Sequence, residues 1–508
     1  MSEEKETESK GWIVYPIGSR PRWPLAFLLG FQQYLTMFGA TVLIPFIIGG
    51  AMKLPQKELA LMISTIFFTS GICTLIQQSP IGNRLPIVQG GTFSFLGPTF
   101  AIIGMVGAKK LGWQVQIQEV SGAILLASVV EIVLGYSGIA GVIKRGISPV
   151  VIGPTIAMIG LALYGIGAPW MASNWVISLI TLIALILYSQ VFSRSSKVFL
   201  LFPVLLAIAT GWICALIGTL AGWIPPTNAA YLKTQLVFSS PWISFRPMMP
   251  FKWGVPNFFG STTLWAGAIG MLAGYLASMI ESIGDYYACA RISEAPVPTE
   301  KMISRGLGAE GLGCLIAGIL QTCNGTTSYS ENIGSIGLTR VASRRVIRAG
   351  AILMLFIPII GKFGAVLATL PKPVVGAMFV GLFGLIAAVG LSNLALVNMN
   401  NSRNLFIIGI SFFMGLSVPA HFSAHAINWA AYGKTAEVIG NILQAIFTTG
   451  MGVTAIVGII LDDILPGATR KERGLEVWET EATDEAWEKA EAEWASMAEG
   501  EMRPVVIE

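Results

Sequence analysis

This sequence is poor in charge, in histidine and in the motifs of soluble chemistry. Charged residues make up 12% of its 508 positions, against about 25% in an ordinary soluble domain. That deficit argues against a water-soluble globular enzyme. The only histidines, His421 and His425, lie together in PAHFSAHAINWA, so a proton relay through a buried imidazole has no support. Cys73, Cys214, Cys289, Cys314 and Cys323 follow no regular spacing, which gives neither a disulfide framework nor a metal site. No Walker-type loop, dinucleotide fingerprint or metal-ligand cluster is present, so nothing supports ATP hydrolysis or an enzymatic role. The first 23 residues, MSEEKETESKGWIVYPIGSRPRW, are polar and mixed in charge, unlike a cleavable signal peptide.

What the chain has is apolar length. Hydrophobic residues account for 54% of it, with 57 glycines and a mean hydropathy of +0.70. Apolar segments fall at 24–48, 58–76, 93–105, 118–140, 148–167, 172–193, 198–220, 263–290, 307–322, 331–340, 346–369, 373–392, 403–419 and 436–462. Several are long enough to cross a hydrocarbon core of about 30 Å as helices. The expected fold is an all-α polytopic membrane protein with 14 transmembrane segments in a 7+7 inverted repeat. The prolines and tryptophans of 221–262 suit an interfacial loop. With both ends on one side, that side carries 22 of the 32 basic residues. The bias predicts a cell-membrane protein with both termini cytoplasmic. Acidic residues crowd the end instead: eleven lie between Glu476 and Glu508, with two basic ones. This tail reads as a short exposed helix, a solvated appendage whose charge argues against nucleic-acid binding. The cluster Arg344, Arg345 and Arg348 is expected to meet water and lipid headgroups.

Two short segments look alike. GGTFSFLGP and NGTTSYSENIG each hold Gly-Thr-x-Ser, at Gly91–Ser94 and Gly325–Ser328, in the third span of each half. Broken helices in corresponding positions are the sequence pointer to a transporter binding site. Irregular backbone at membrane depth must find partners in protein or in a wet cavity. The two stretches are expected to pair as short antiparallel strands breaking segments 3 and 10, each leaving a half-helix with free N–H groups. Glu331 would stand at one such start, where an acid costs about 2.5–3.5 kcal/mol on insertion scales. Glu281 and Asp285 are four residues apart and share a helix face. Two carboxylates so placed repel unless a cation or proton accompanies them, which points to a coupling ion. Gln32 and Gln33 put two amides in the first span, where they can act as packing glue or face the site.

Four separated stretches carry a likeness. ENIGSIGLTR from Glu331, ESIGDYYACARISEAPVP from Glu281, RLPIVQGGTFSFLGP from Arg84 and LVNMNNSRNLFIIG from Leu396 resemble the nucleobase–ascorbate transporter family (nucleobase:cation symporter-2). The branch they resemble contains the animal sodium-dependent vitamin C transporters. The likeness runs from about Trp23 to about residue 460. It implies a cytoplasmic segment at 1–22, a core domain at 23–145 and 263–370, and a gate domain at 146–220 and 371–463. The loop 221–262 would be extracellular or periplasmic and 464–508 an acidic cytoplasmic tail. It implies homodimers, an elevator motion and substrate between segments 3 and 10.

Carried over by position, the substrate-binding residues are Glu281, Glu331, Asn332 and an aromatic at Phe93 or Phe95, with Ser94, Ser330 and Gln33 around them. Where many members have Gln-His in the first span, this chain has Gln32-Gln33. An acid at Glu331 resembles the nucleobase carriers, whereas the animal ascorbate carriers have proline there. Carboxylates accept from the N–H groups of a uracil or purine, and the half-helix amides donate to its carbonyls. The expected activity is therefore nucleobase uptake by cation symport, without a cofactor. The alternatives are a sodium-coupled ascorbate transporter and an uncoupled facilitative pore. Hard oxygen ligands at Asp285, with Glu281 beside it, suit Na⁺; H⁺ is the alternative.

Overall fold

A computed structural model describes residues 13–138, 148–162, 164–196, 198–199, 202–425, 427, 429–476 and 484–503. The boundary expected at 145–146, with Lys144 and Arg145, lies outside them. The helices are α1 (Trp23–Met52), α2 (Gln56–Gln77), α3 (Leu96–Ala108), α4 (Trp113–Tyr136), α5 (Pro149–Leu161), α6 (Tyr164–Met171), α7 (Trp175–Ile186) and α8 (Pro203–Leu220). After the long loop come α9 (Thr262–Ile292), α10 (Glu300–Ile319), α11 (Ser330–Thr339), α12 (Arg344–Phe356), α13 (Gly361–Ala368), α14 (Lys372–Asn393), α15 (Ser402–Ala424), α16 (Lys434–Phe447), α17 (Gly450–Ile464) and α18 (Asp484–Ser496). Two strands, β1 (Gln89–Gly91) and β2 (Thr326–Ser328), make up the single small sheet found among the described residues.

Local sequence sets these boundaries. Ser261 caps α9 by accepting from the Leu264 N–H at 3.1 Å, and Thr299 caps α10 through Met302. Lys53 ends α1 in the left-handed region at φ 54°, its N–H reaching the carbonyls of Gly49 and Gly50.

Among the described residues, ten helical stretches, with α5 and α6 taken together, are long and apolar enough to cross a membrane by length and composition. The other four apolar segments are interrupted. Segments 93–105 and 331–340 begin only after a strand, leaving α3 and the ten-residue α11. Segment 346–369 breaks between α12 and α13 at a turn holding Pro358, which removes a helical hydrogen bond. Segment 436–462 divides into α16 and α17.

The helices gather in two groups. In one, α4 packs on α10 and α9, α1 on α12, and α2 on α10, α12 and α13; in the other, α14 packs on α5, α6 and α7, and α17 on α15 and α5. Small residues allow close crossings: a Cβ on Gly135 of α4 would stand 2.2 Å from the Gly308 nitrogen of α10. A buried ion cluster ties the second group. Asp462, at the end of α17, receives Arg403 at 2.9 Å, Arg473 at 2.7 Å and the Ser148 hydroxyl at 2.6 Å.

The acidic tail departs from the expectation of a solvated appendage. Trp487 and Trp494, seven residues apart on one face of α18, are both buried in a cluster with Ile13, Ile17, Leu85 and Ile87. The Trp487 indole N–H donates to the Val297 carbonyl at 2.8 Å. Glu491 meets Arg344 at 3.1 Å and Arg84 at 3.5 Å, Glu499 meets Arg345, and Arg503 meets Glu294 at 3.2 Å. Glu491 and Glu499 are thus counter-charges to arginines rather than solvated acids. Within the arginine cluster Arg344 is corrected with them, being buried and donating also to the Arg84 carbonyl, whereas Arg348 is exposed and donates to that of Gln78 at 3.0 Å. Replacing both Trp487 and Trp494 with Ala is expected to cost about 3–5 kcal/mol per residue of docking. The checks are a lower thermal unfolding temperature and rapid proteolytic loss of 484–503; an unchanged unfolding temperature would show that α18 bears no load.

Candidate functional site

The site is built where the two broken segments meet. β1 and β2 pair antiparallel, with Gln89 opposite Ser328, Gly90 opposite Thr327 and Gly91 opposite Thr326. Each strand runs directly into a helix start, Phe93–Phe95 and then α3 on one side, α11 on the other. Two sets of first-turn N–H groups therefore face the strand pair. Asn324 locks the junction: its Oδ1 accepts from the Thr92 N–H at 2.7 Å and its Nδ2 donates to the Thr92 carbonyl at 2.8 Å. The Thr92 hydroxyl accepts in turn from the Ser94 N–H at 3.1 Å. Tyr329 is tied to Thr41 of α1 at 3.0 Å.

Helix α9 brings its acids to this junction. Ser94 donates to Glu281 at 3.4 Å. Asp285 accepts from Ser328 of β2 at 2.7 Å and from Ser330 of α11 at 2.6 Å. Glu281 is half-buried and Asp285 buried. Ser94, Glu281, Asp285 and Ser330 thus form one oxygen-rich cluster, joined by Ser328. An all-oxygen set of two carboxylates and hydroxyls suits a hard cation by ligand type. Glu331 stands half-buried in the first turn of α11. Asn332 turns the other way, its Nδ2 donating to both the Gln33 carbonyl and the Gln33 Oε1 at 2.8 Å.

The two aromatics separate. Phe93 meets Phe383 of α14 edge-to-face with centroids 5.0 Å apart, so it sits at the seam between the helix groups. Phe95 is fully buried, 4.5 Å from the Tyr275 ring. It also fills the space over Gly325, where a Cβ would stand 2.1 Å from its ring. Phe95 is packing beneath the strand pair, and Phe93 is the ring at the seam.

Sequence reasoning passed over Glu310. This acid on α10 is 1% exposed and accepts from Ser282 at 2.6 Å, Tyr286 at 2.8 Å and Gln89 at 3.1 Å. Ser282 also touches Thr327 and Ser328, at 3.0 and 3.1 Å, so Glu310 supports the strand pair from behind. The signal that marked Glu281, a lone acid in an apolar segment, was equally present in SRGLGAEGLG. Asn324 carried no such signal.

A cavity of about 1140 Å³ reaches the start of α3 at Gly97 and runs between α3 and the ends of α15–α17, past Phe100, Thr448 and Met451. Replacing Asn324 with Ala is expected to leave the Thr92 N–H and carbonyl unpaired, at about 1–3 kcal/mol each. Thermal unfolding and substrate-binding assays should both weaken; full binding would mean that the strand pair orders itself without the clamp.

The comparisons with known proteins agree with this architecture. A family described as a permease family matches residues 25–424. Solute carrier family 23 member 2 from mouse is 40% identical, over 92% of this chain and 76% of its own length. Solute carrier family 23 member 1 from rat is 39% identical, over 94% and 84%. Nucleobase-ascorbate transporter 7 of Arabidopsis thaliana is 37% identical, over 92% and 89%. Among solved structures, the transmembrane domain of a cyanobacterial bicarbonate transporter, BicA, aligns with a TM-score of 0.51 at 13% identity, covering 89% of this chain and 99% of that one. The murine anion transporter Slc26a9 in its inward-facing state gives 0.54 at 12%, covering 82% and 68%. At such identities these two establish likeness of fold alone.

Proposed function

Since the chain belongs to the nucleobase–ascorbate transporter family, and is a multi-pass membrane transporter rather than an enzyme, we propose that it carries nucleobases into the cell by cation symport. The observation that carries this reading is Glu331, a carboxylate in the first turn of a half-helix whose neighbour Ser330 is bonded to Asp285 at 2.6 Å. Carboxylates at Glu331 and Glu281 accept from ring N–H groups, and first-turn amides of α3 and α11 donate to ring carbonyls. Phe93 offers a ring face. Na⁺ is taken up at Asp285 with the serine hydroxyls and is itself a transported species.

The remaining features of this reading follow the family. Fourteen crossings, counting the four interrupted segments, form a 7+7 inverted repeat, with both termini cytoplasmic in the cell membrane. The helix group containing α1–α4 and α9–α13 is the core domain, the group containing α5–α8 and α14–α17 the gate domain. The core slides as an elevator against the gate in a homodimer.

Uptake of radiolabelled uracil, adenine, guanine, xanthine and ascorbate by purified protein in liposomes tests the substrate. Saturable nucleobase uptake, driven above the outside concentration by a Na⁺ gradient, is expected. Uptake that never exceeds the outside concentration would favour an uncoupled pore. A second reading, sodium-coupled ascorbate transport, is favoured by identities of 39–40% to the solute carrier family 23 members against 37% to the plant relative. Ascorbate uptake that nucleobases fail to compete would establish it and overturn the first.

A further inference from the structure

A second cavity, of about 730 Å³, opens on the face opposite the one where the chain enters α1. The end of α1, Trp170 of α6, residues 226–233 of the long loop and the start of α14 enclose it. Its charged lining is of one sign: Lys53, Lys233 and Lys372, with no carboxylate among the lining residues. All three lysines are exposed, and none takes part in an ion pair found among the described residues. Two are held in place. Lys53 is the left-handed cap of α1, and the Lys372 ammonium lies 5.1 Å from the centre of the Trp170 ring. Glu58, the acid in the first turn of α2, is already engaged by the Trp253 indole at 2.7 Å and Arg246 at 3.7 Å.

This opening adjoins the larger cavity. Phe100 and Ile166 line both it and the 1140 Å³ cavity, which ends at Gly97, three residues beyond the Ser94 that bonds Glu281. Among the described residues the larger cavity also has no carboxylate in its lining, and it adds Lys109. Among the described residues, the charged side chains lining the two cavities are therefore all positive. A cleft lined by charge of one sign, with low-dielectric walls, focuses its field and concentrates the opposite ion.

We propose that Lys53, Lys233 and Lys372 form a vestibule that collects a small monovalent organic anion and feeds it to the site. The proposal rests on the second of the two readings above, sodium-coupled ascorbate transport, and supplies an observation that favours it over uptake of a neutral base. A neutral base gains nothing from the lysines. An anion gains on approach, and the charge gradient ends where Na⁺ at Asp285 would take over.

Two measurements test it. The first compares uptake by the Lys53→Gln, Lys233→Gln, Lys372→Gln triple variant with that of the native chain. At low ionic strength, kcat/KM for ascorbate relative to uracil should fall about tenfold, within the range of electrostatic steering. The deficit should shrink in high salt, where the screening length drops to about 3 Å. An unchanged ratio, a salt-independent one, or saturable uracil uptake with no ascorbate uptake would overturn the proposal.

The second measurement needs no transport. Thr227, exposed at the rim, is replaced by Cys in a Cys214→Ser background, since the other four cysteines are buried. Methanethiosulfonates carrying a sulfonate or a trimethylammonium then report the local potential. Relative to a free thiol, the anionic reagent should be favoured about tenfold or more, and the lysine substitutions, singly or together, should reduce that preference. No preference for the anion would overturn the proposal. A persistent preference in a protein that takes up neither solute would leave the vestibule standing while the transport reading fails.

Discussion

An Asp285→Asn transporter is expected to need about 10- to 100-fold more Na⁺ for half-maximal uptake. Asparagine keeps the shape of the side chain, and of the Ser328 and Ser330 hydroxyls, now at 2.7 and 2.6 Å from the two carboxylate oxygens, one can keep donating to the amide oxygen while the other turns to accept from the amide N–H. Packing between α9, β2 and α11 should therefore survive. What disappears is the full negative charge. Contacts to a charged group are worth about 1.5–3 kcal/mol, and each 1.4 kcal/mol is a factor of about ten in affinity. The measurement is liposome uptake against Na⁺ concentration, with substrate affinity at saturating Na⁺ as the control and expected to hold. Full uptake by the native chain in Na⁺-free buffer, driven by an inward proton gradient and abolished by an uncoupler, would sink the Na⁺ assignment.

Asp462→Ala should be the most damaging substitution to stability, at about 3–5 kcal/mol. Its side chain is fully enclosed and meets Arg403, Arg473 and Ser148. The Arg403 side chain is only 8% exposed. Truncating the acid leaves that guanidinium buried without its counter-charge, the costly way to break a buried pair. Four regions lose a common anchor: the starts of α5 and α15, the end of α17 and the turn at Arg473. The expected readout is loss of monodisperse protein in detergent, or a sharply lower unfolding temperature. Arg473→Gln is the milder control, because that side chain is 18% exposed and Arg403 stays paired. Equal behaviour of the two variants would mean that the cluster is not the staple of this helix group.

The sequence by itself determined the class, because apolar length and scarce charge leave a chain no soluble alternative. It also located the break points. Gly-rich polar stretches at Gly90 and Asn324 cannot continue a helix, and their shared Gly-Thr-x-Ser pattern anticipated a pair of strands. Glu281, Asp285 and Glu331 were legible because an acid in an apolar run is costly enough to demand a reason. Glu310 was legible by the same rule and was passed over.

Tertiary structure decided what each polar group touches. Whether Phe93 or Phe95 looks outward depends on which ring finds room, and the missing Cβ at Gly325 lets Phe95 sink beneath the strands. Asn332 could have faced a ligand; α1 supplies Gln33 as its partner instead. The tail was misread because net charge is a local property and burial is not. The acids of the tail look solvated until Arg84, Arg344 and Arg345, brought together from distant parts of the chain, pair with Glu491 and Glu499 beside two buried tryptophans. Periodicity and composition act within a segment. Which segments meet depends on closing loops of tens to hundreds of residues, and that pairing alone turns separate serines and acids into a site.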